Sequence, residues 1–422
     1  MSGINRFSVR KKRILIVSPF FPCPAFEGNR RRVATLARAF KALGHEVHIA
    51  AVAAPDLDPG SETQTEKTLS VQAHGVGQYL ATNKFRRIKR RIRRKLVSPL
   101  LRFMFRAPRW ELAESDIDYI FDRDWHLGLY LLQQKYRFDA VCVEYVFLSQ
   151  AFANFGPEVI KIIDTHDIFA DRNDKLRANG VTHGWWTATA AAEIVGLSRA
   201  DSVIGIQEEE SEYFRANIPS RVVTIGHLFD SIAIDAQPGE GSVPSMLFVG
   251  FNNSPNVEAL NWLMREVLPI VWRTLPLAEL WVVGSVGEAI DVADARIRRL
   301  GRVTDLGPYY RQSHLVLNAV GFGTGLAIKT MEAMAQGKAL VVRAAGARGL
   351  PLVAKQSVRV ADSAPLFAHA VVELLASPIA RLRMGEDCLG IVKEMNESQM
   401  CTLANLLHPV ETMSPEWEAS AR

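Results

Sequence analysis

The chain has 422 residues, which is long for one domain and sufficient for two domains that each bury a core. Its content of 48% hydrophobic and 23% charged residues is typical of an ordinary soluble globular protein. No apolar run reaches the roughly 18 residues that a membrane-spanning helix needs, so the sequence predicts no transmembrane segment.

The cysteines are scattered along the chain, with no C-x-x-C pair and no His/Cys spacing of a zinc site: Cys23, Cys142, Cys388 and Cys401. This pattern argues against a disulfide framework and against a zinc site, and it indicates a reducing cytoplasm.

The first half of the chain alternates short β-branched runs with helical stretches. A helix is predicted from about Arg30, and the strand candidates are RILIVS, EVHIAAV, DAVCVEYV, VIKIIDTHD, DSVIGI and RVVTIGH. Buried runs with little polar alternation, separated by helices, predict parallel strands in βαβ units. The basic and then apolar N-terminus suggests a signal peptide at first sight. RILIVS is short and soon followed by prolines, however, and therefore predicts a first buried strand.

A polar stretch with Pro and Gly, DAQPGEGSVPS over residues 235–245, predicts a domain boundary. The same rhythm restarts after it with MLFVG, NVEALNWLMREVLP, ELWVVG, HLVLNAV, LAIKTMEAMAQ and ALVVR. We therefore predict an α/β protein with two Rossmann-like domains, over residues 1–235 and 245–395. A helical tail over 396–422 could return to the N-terminal domain. Two facing parallel sheets bring their strand ends to one cleft, so the loops after strands are the informative positions.

The loop after the first strand lacks the G-x-G-x-x-G fingerprint of a dinucleotide site. It does offer Gly28 and Arg30 at the start of a helix, where a close backbone approach and free N–H groups suit an anion. The alternative is a proline-stiffened connector with surface arginines.

The segment DTHD follows a strand without polar interruption. His166 could contact a sugar or a reacting oxygen there, and Asp164 or Asp167 could orient it or hold an acceptor hydroxyl. The alternative is a capping Asp with a structural His at the start of the next helix.

A glycine-rich turn, GFGTG over residues 321–325, separates the strand HLVLNAV from a helix that we expect to begin near Leu326. Such a turn presents backbone N–H groups to a diphosphate, and Lys329 on the first helical turn could reach the same phosphates. Glu332, one turn further, could bind the hydroxyls of a ribose. Glycine turns of this kind also occur for packing reasons.

Three segments in this order resemble glycosyltransferase family 4: RILIVSPFFP with EGNRRRVATLARAFKALGHEVHIA, then DTHD, then GTGLAIKTMEAMAQGKALVV. FVGFNNSPNVEALNWLMREVLP is similar to the segment that opens that family's second domain. The resemblance covers residues 13 to about 390. It implies a GT-B fold and the transfer of a sugar, with retention of configuration, from a nucleotide-diphosphate donor without a metal or other cofactor. It also implies that Gly28 approaches the diphosphate, that His166 lies near the transferred sugar and that Glu332 holds the ribose.

Two departures from the family pattern concern the donor. Thr324 stands where the family usually has a glutamate that contacts the donor sugar. The loop FNNSPN, over residues 251–256, has no basic residue where the family commonly has Arg and Lys. Lys329 is then the first candidate for meeting the charge of the leaving diphosphate, with Arg30 or Arg31 behind it. The expected catalytic residues are His166, Asp167 and Lys329. The expected donor-binding residues are Gly28, Arg30, Asn252, Gly323, Thr324, Gly325, Leu326 and Glu332. No D-x-D pair lies in the strand-end loops, and no metal site is expected.

The net charge of +5 is unevenly distributed, because residues 84–109 contain twelve Lys and Arg residues and no Asp or Glu. Phe85, Ile88, Ile92 and Leu96 form one apolar stripe on a helix, and Arg87, Arg90, Arg91 and Arg94 belong to its cationic remainder. Such a helix is typical of attachment to an anionic membrane surface. A nucleic-acid arm and a helix packed on its own domain are the alternatives. Phe103, Met104 and Phe105 favour the membrane over nucleic acid.

Together these features predict a cytoplasmic glycosyltransferase, peripheral at the inner face of the membrane. It would add a sugar to a glycan or lipid-linked acceptor in cell-surface polysaccharide or lipopolysaccharide biosynthesis. The alternatives are a nucleotide-sugar epimerase of the same fold and a non-catalytic module that binds nucleotide or glycan.

Overall fold

The computed structural model describes residues 10–25, 28–52, 60–76, 116–121, 123–170, 172, 187–229, 238–239, 241–291, 294–303, 305–322 and 328–408. Contacts divide the chain into two units. One contains the residues up to Leu228 and those from Gln399 onwards, and the other contains Phe229–Ser398.

The first unit is built on a seven-stranded sheet with the order β3-β2-β1-β4-β5-β6-β7. All neighbouring strands are parallel. The strands are β1 (Arg13–Ser18), β2 (Glu46–Ala51), β3 (Gln72–Gly75), β4 (Ala140–Glu144), β5 (Ile160–Asp164), β6 (Ser202–Gly205) and β7 (Arg221–Thr224). The helices are α1 (Gly28–Ala42), α2 (Ser61–Leu69), α3 (Arg123–Tyr136), α4 (Ala190–Leu197) and α5 (Glu208–Asn217), with short 3-10 turns at Asp116–Ile120 and Val146–Asn154.

Both faces of this sheet are covered, which explains why its central strands are apolar throughout. Successive residues of β1 point to opposite faces. Leu15 and Val17 pack into one core, and Ile14 and Ile16 pack into the other. Helix α1 lies on the second face, where its residues Val33, Leu36, Ala37 and Phe40 are buried.

The second unit is built on a six-stranded parallel sheet with the order β10-β9-β8-β11-β12-β13. The strands are β8 (Ser245–Val249), β9 (Glu279–Val283), β10 (Ile297–Gly301), β11 (Leu315–Asn318), β12 (Ala339–Val342) and β13 (Arg359–Val360). The helices are α6 (Ser254–Trp262), α7 (Leu268–Thr274), α8 (Gly307–Gln312), α9 (Ile328–Ala335), α10 (Leu352–Gln356), α11 (Ala364–Ala376) and α12 (Pro378–Leu406). A π-helical turn, Leu263–Val267, joins α6 to α7, and 3-10 turns occupy Ser285–Ala289 and Ala344–Ala347.

The loops after β8 and β9 approach each other closely at two glycines. Gly284 has φ 102°, a left-handed conformation that side chains disfavour, and a Cβ there would lie 3.0 Å from the carbonyl carbon of Gly250. The chain can therefore turn after β9 because position 284 has no side chain.

The long helix α12 belongs to both units. Cys388 and Val392 on its first part pack into a core of the second unit, and Leu403 and Leu406 near its end pack into a core of the first. Among the described residues no single helix is long and apolar enough to cross a membrane. One pair, α11 with α12, meets that length and composition only when taken together across a bend of 102°.

The predicted α/β class with two parallel sheets is confirmed. Three strands were not predicted, namely β3, β10 and β13. Each is an edge strand and pairs with a single neighbouring strand of its sheet. Their sequences QAHG, IRRLG and RV are polar because an edge strand is less completely covered than a central one. The basic segment over residues 84–109 lies outside the described residues.

Candidate functional site

The first sheet reverses its strand order between β1 and β4, which is where open α/β sheets bind ligands outside the carboxyl ends of their strands. Helix α1 follows β1 and carries Arg32, and β4 and β5 end at Glu144 and Asp164. We call these three residues together with His166 the first cluster.

Arg32 and Asp164 form a buried bidentate ion pair. Nε and Nη2 of Arg32 donate to the two carboxylate oxygens of Asp164 at 2.6 and 2.5 Å. The guanidinium also donates to the carbonyls of Ile225 and Gly226, each at 2.9 Å. Burial alone would raise the pKa of Asp164, but Arg32 and His166 outweigh it and hold that pKa below its ordinary value. Asp164 is therefore an ionised carboxylate at neutral pH.

His166 is held by Glu144 and by an aromatic ring. Its Nε2 lies 2.5 Å from Oε2 of Glu144 and 3.7 Å from Oδ2 of Asp164. The imidazole stacks on the ring of Tyr145 with 4.0 Å between centroids and 13° between planes. Burial lowers the pKa of His166 to about 4, and burial together with the charge of Asp164 raises the pKa of Glu144 well above its ordinary value. The raised pKa of Glu144 favours its protonated form, which can donate to Nε2 of a neutral His166 that has its own hydrogen on Nδ1.

Backbone strain accompanies this arrangement. Tyr145 and His166 have φ values of 67° and 64°, in the left-handed region that residues with side chains rarely adopt. Such a conformation costs on the order of 1–3 kcal/mol and is concentrated at functional sites. Here the two strained residues are the ones whose rings stack at the ends of β4 and β5.

The other candidates of the first unit lie at different contacts. Asp167 accepts a hydrogen bond from the Ile168 N–H at 2.9 Å and pairs with Arg172 at 3.0 Å. Arg30 donates to the carbonyl of Phe21 at 2.7 Å, and Gly28 is the first residue of α1.

The sequence did not single out Arg32 or Glu144. Arg32 lies on the apolar face of α1, between residues that pack on the sheet, and Glu144 ends the apolar run AVCV. A charged residue on a buried helix face and a carboxylate at a strand end are signals that could have identified both.

The second sheet reverses its strand order between β8 and β11. Lys329, on the first turn of α9, donates a hydrogen bond to Oδ1 of Asn256 on α6. The Asn256 side chain also donates to the carbonyl of Phe251 at 2.9 Å, so it ties Lys329 to the loop after β8. Burial lowers the pKa of Lys329 to about 8. The lysine therefore lies beside the FNNSPN loop, which has no basic residue of its own.

Two further donor-site candidates are described. Glu332 follows Lys329 on α9, and Asn252 lies in the FNNSPN loop. Glu332 is half-buried on α9, and its charge opposes the lowering of the Lys329 pKa. Asn252 is exposed, and its N–H donates to Oγ of Ser285 at 2.9 Å. The remaining candidates lie outside the described residues: Gly323, Thr324, Gly325 and Leu326.

Asn318, at the end of β11, was not predicted. Its amide donates to Oγ1 of Thr330 at 2.9 Å, and that hydroxyl donates to the carbonyl of Gly346. These contacts fix the amide at the carboxyl edge of the second sheet.

Glu144, Asp164 and His166 each offer a ligand atom within 4.8 Å of the other two, which is a possible donor set for a metal ion. Both oxygens of Asp164, however, already accept from Arg32, whose positive charge disfavours a cation at this position. The contacts of this set therefore fit an ion pair better than a metal site.

Comparison with known proteins bears on both units. Residues 243–377 match the model of the family described as glycosyl transferases group 1. No curated protein matches the chain in sequence.

Several solved structures are similar over nearly the whole chain. Sucrose-phosphate synthase from Thermosynechococcus elongatus is 14% identical, with a TM-score of 0.62, over 94% of this chain and 98% of that one. HepE from Anabaena, solved in complex with UDP and glucose, is 12% identical, with a TM-score of 0.54, over 93% and 99%. A TarM variant from S. aureus, in complex with fondaparinux, alpha-GlcNAc-glycerol and UDP, is 11% identical, with a TM-score of 0.59, over 94% and 100%.

At these low identities the likeness concerns the fold. The two parallel-sheet α/β units are those of GT-B glycosyltransferases, as the sequence predicts. The chain therefore has the GT-B fold, and the greater part of its second unit matches the group 1 glycosyl transferases.

Proposed function

We propose that the chain is a glycosyltransferase that moves a sugar from a nucleotide-diphosphate sugar to a glycan or lipid-linked acceptor. The observation that carries the proposal is the position of Lys329. It lies at the strand-order reversal of the second sheet, directly after the glycine-rich turn, within the residues that match the group 1 family. HepE was solved with UDP and glucose, and the TarM variant with UDP and glycan ligands, which supports a nucleotide-sugar donor and a glycan acceptor.

In the proposed reaction Lys329 stabilises the departing diphosphate. The bond between the anomeric carbon and the phosphate oxygen breaks, a bond to the acceptor oxygen forms, and the acceptor proton passes to a phosphate oxygen. A desolvated ammonium group interacts strongly with the negative charge that develops on this phosphate. The anion in turn would raise the pKa of Lys329 and keep the lysine protonated.

We further propose that the transfer needs no metal and retains the anomeric configuration. Cationic charge and backbone N–H groups at the glycine-rich turn would replace a metal at the diphosphate, and no enzymic nucleophile is required. Metal dependence is tested by turnover in EDTA: full activity supports the proposal, and activity restored only by a divalent cation contradicts it.

The first cluster offers polar groups at the carboxyl edge of the first sheet. A neutral His166, fixed by Glu144 and Tyr145, can donate from Nδ1 to a sugar hydroxyl without carrying charge itself. The ionised Asp164, compensated by Arg32, lies 3.7 Å from the same imidazole and helps to hold the ring in place.

The basic segment over residues 84–109 suits an enzyme of lipid-linked acceptors. We propose that it attaches the protein to anionic lipids at the cytoplasmic face of the membrane, in the synthesis of a cell-surface polysaccharide or lipopolysaccharide.

The direct test is turnover over a panel of nucleotide sugars with glycan and lipid-linked acceptors. Release of nucleoside diphosphate that depends on an acceptor supports a transferase. An epimerase would instead convert the sugar without any acceptor, and binding without turnover would indicate a non-catalytic module.

A further inference from the structure

Arg343 lies at the same carboxyl edge of the second sheet as the glycine-rich turn. It follows β12 directly, and its N–H donates to the carbonyl of Asn318 at the end of β11 at 3.0 Å. Its guanidinium lies against Gly321, because a Cβ at that position would be 2.8 Å from Cζ and 3.0 Å from Nη2 of Arg343. A side chain at position 321 would have to displace this guanidinium.

Two residues one turn apart on α6 orient the guanidinium. It lies over the ring of Trp262, 4.7 Å from the centroid, and its Nη1 lies 3.3 Å from Oε1 of Glu258. The Arg343 side chain is 20% exposed and that of Glu258 is 41% exposed. A single, partly exposed ion pair contributes little in water, so an anionic ligand could replace Glu258 as the partner of Arg343.

Three buried polar atoms around this edge have no hydrogen-bond partner among the described residues: Nε of Arg343, Oε2 of Glu258 and Oδ1 of Asn318. Asn318 is only 5% exposed, and the amide nitrogen of the same side chain is held by Thr330. Folded proteins leave few buried polar groups unsatisfied, and a group of them at one strand edge indicates hydrogen bonds reserved for a ligand.

We propose that Arg343 binds an anionic group of the donor and thereby determines which donors the enzyme accepts. The inference rests on the proposed function, since it concerns the donor of that reaction. Arg343 follows β12 and Lys329 lies on α9, so the two cations can meet two different anionic groups. The group that Arg343 meets is a phosphate of the nucleotide or a carboxylate on the donor sugar, both of which suit a planar guanidinium.

The test is calorimetry with the full-length chain and two variants, Arg343→Gln and Arg359→Gln. Arg359 is the matched control, because it lies on the edge strand β13 and forms an exposed ion pair with Glu373 of α11. The ligands are the nucleoside monophosphate, the nucleoside diphosphate, and its glucose and glucuronate conjugates, in the uridine and guanosine series.

Loss of a charge-assisted hydrogen bond should weaken binding at least about tenfold. If Arg343 binds the β-phosphate, Arg343→Gln weakens the diphosphate and both conjugates and leaves the monophosphate unchanged; if it binds the α-phosphate, the monophosphate is weakened as well. If it binds a sugar carboxylate, only the glucuronate conjugate is weakened. Arg359→Gln binds every ligand as the wild type does.

Wild-type affinity of Arg343→Gln for every ligand would overturn this inference and leave the proposed function intact. Failure of the wild type to bind any of the nucleotides would overturn both. Should Arg343→Gln not fold, Gly321→Ala serves as the second variant. Its methyl group displaces the guanidinium without removing the charge, so the same ligands should be weakened, and unchanged binding would again count against the role of Arg343.

Discussion

At the scale of residues, the ion pair between Arg32 and Asp164 compensates a charge that the fold has buried. Both side chains are almost wholly removed from water, and the pair joins α1 to the end of β5. Removing one partner of such a pair leaves the other charge buried without compensation. The resulting loss of stability is larger than the stability that the pair itself contributes. Arg32 therefore stabilises the fold in addition to belonging to the first cluster.

Replacing Arg32 with Met should destabilise the protein by about 3–5 kcal/mol, because Asp164 then lies uncompensated next to Glu144. Urea denaturation followed by circular dichroism measures the change. Adding Asp164→Asn to the same variant should recover much of the loss, since it removes the stranded charge. Wild-type stability of Arg32→Met alone would show that the pair does not have this role.

Lys329 and Glu332 should have separable effects on catalysis. Lys329→Ala is expected to lower kcat by about 100-fold, with a smaller effect on donor affinity, because its charge acts on the departing phosphate. Glu332→Ala is expected to weaken donor binding about tenfold by removing hydrogen bonds to the ribose. Steady-state kinetics and titration of the donor separate the two effects, with Lys393→Ala on the exposed side of α12 as the control. Unchanged kinetics in both site variants would mean that the donor site lies elsewhere.

At the scale of elements, the central strands could be predicted and the polar edge strands could not. β1, β4 and β12 are continuous apolar runs because helices cover both of their faces. β3 and β10 carry polar residues at an edge, and their pairing depends on neighbours that are distant in the sequence. Such pairing cannot be predicted from the local amino-acid composition.

The same limit applies to the candidate site. Lys329 and His166 could be named as candidates from the sequence, because each comes after a strand. The partners in the first cluster could not be identified in this way. Glu144, which contacts His166, belongs to another strand, and Arg32 lies 132 positions before the Asp164 that it binds. Long-range contacts of this kind follow from sheet order and register, which the sequence alone does not specify.

The glycine at position 284 makes the turn after β9 possible and offers a test of the fold at this scale. Gly284→Ala should destabilise the protein by about 1–3 kcal/mol, because it combines a left-handed φ with a clash against the Gly250 backbone. Gly390→Ala is the matched control within α12, where nothing lies within 4 Å of the added methyl group. That variant should be more stable than the wild type by about 0.5–1 kcal/mol. Thermal unfolding measures both, and a neutral Gly284→Ala would contradict the close approach of the two loops.

At the scale of the whole molecule, the GT-B fold recurs in structures that are only 10–15% identical to this chain. A fold shared at this level hosts many donors and acceptors, so specificity must be sought in individual residues. Within the described part of the chain, Lys329 and Arg343 at the edge of the second sheet are the cations on which our account of the donor depends.

The proposed membrane attachment also belongs to this scale. Changing Arg87, Arg90, Arg91 and Arg94 together to Gln should abolish most binding to vesicles that contain anionic lipid, since each basic residue contributes about 1 kcal/mol near such a surface. Liposome flotation with and without anionic lipid measures this. Equal binding to neutral vesicles, or binding to neither kind, would contradict an electrostatic anchor.

The most direct test of the central claim is calorimetric titration of the wild-type chain with UDP, GDP and related nucleoside diphosphates. We predict saturable binding of at least one of them, weakened by Glu332→Ala. Absence of binding to all of them at millimolar concentration would contradict a nucleotide-sugar donor and, with it, the proposed glycosyltransferase.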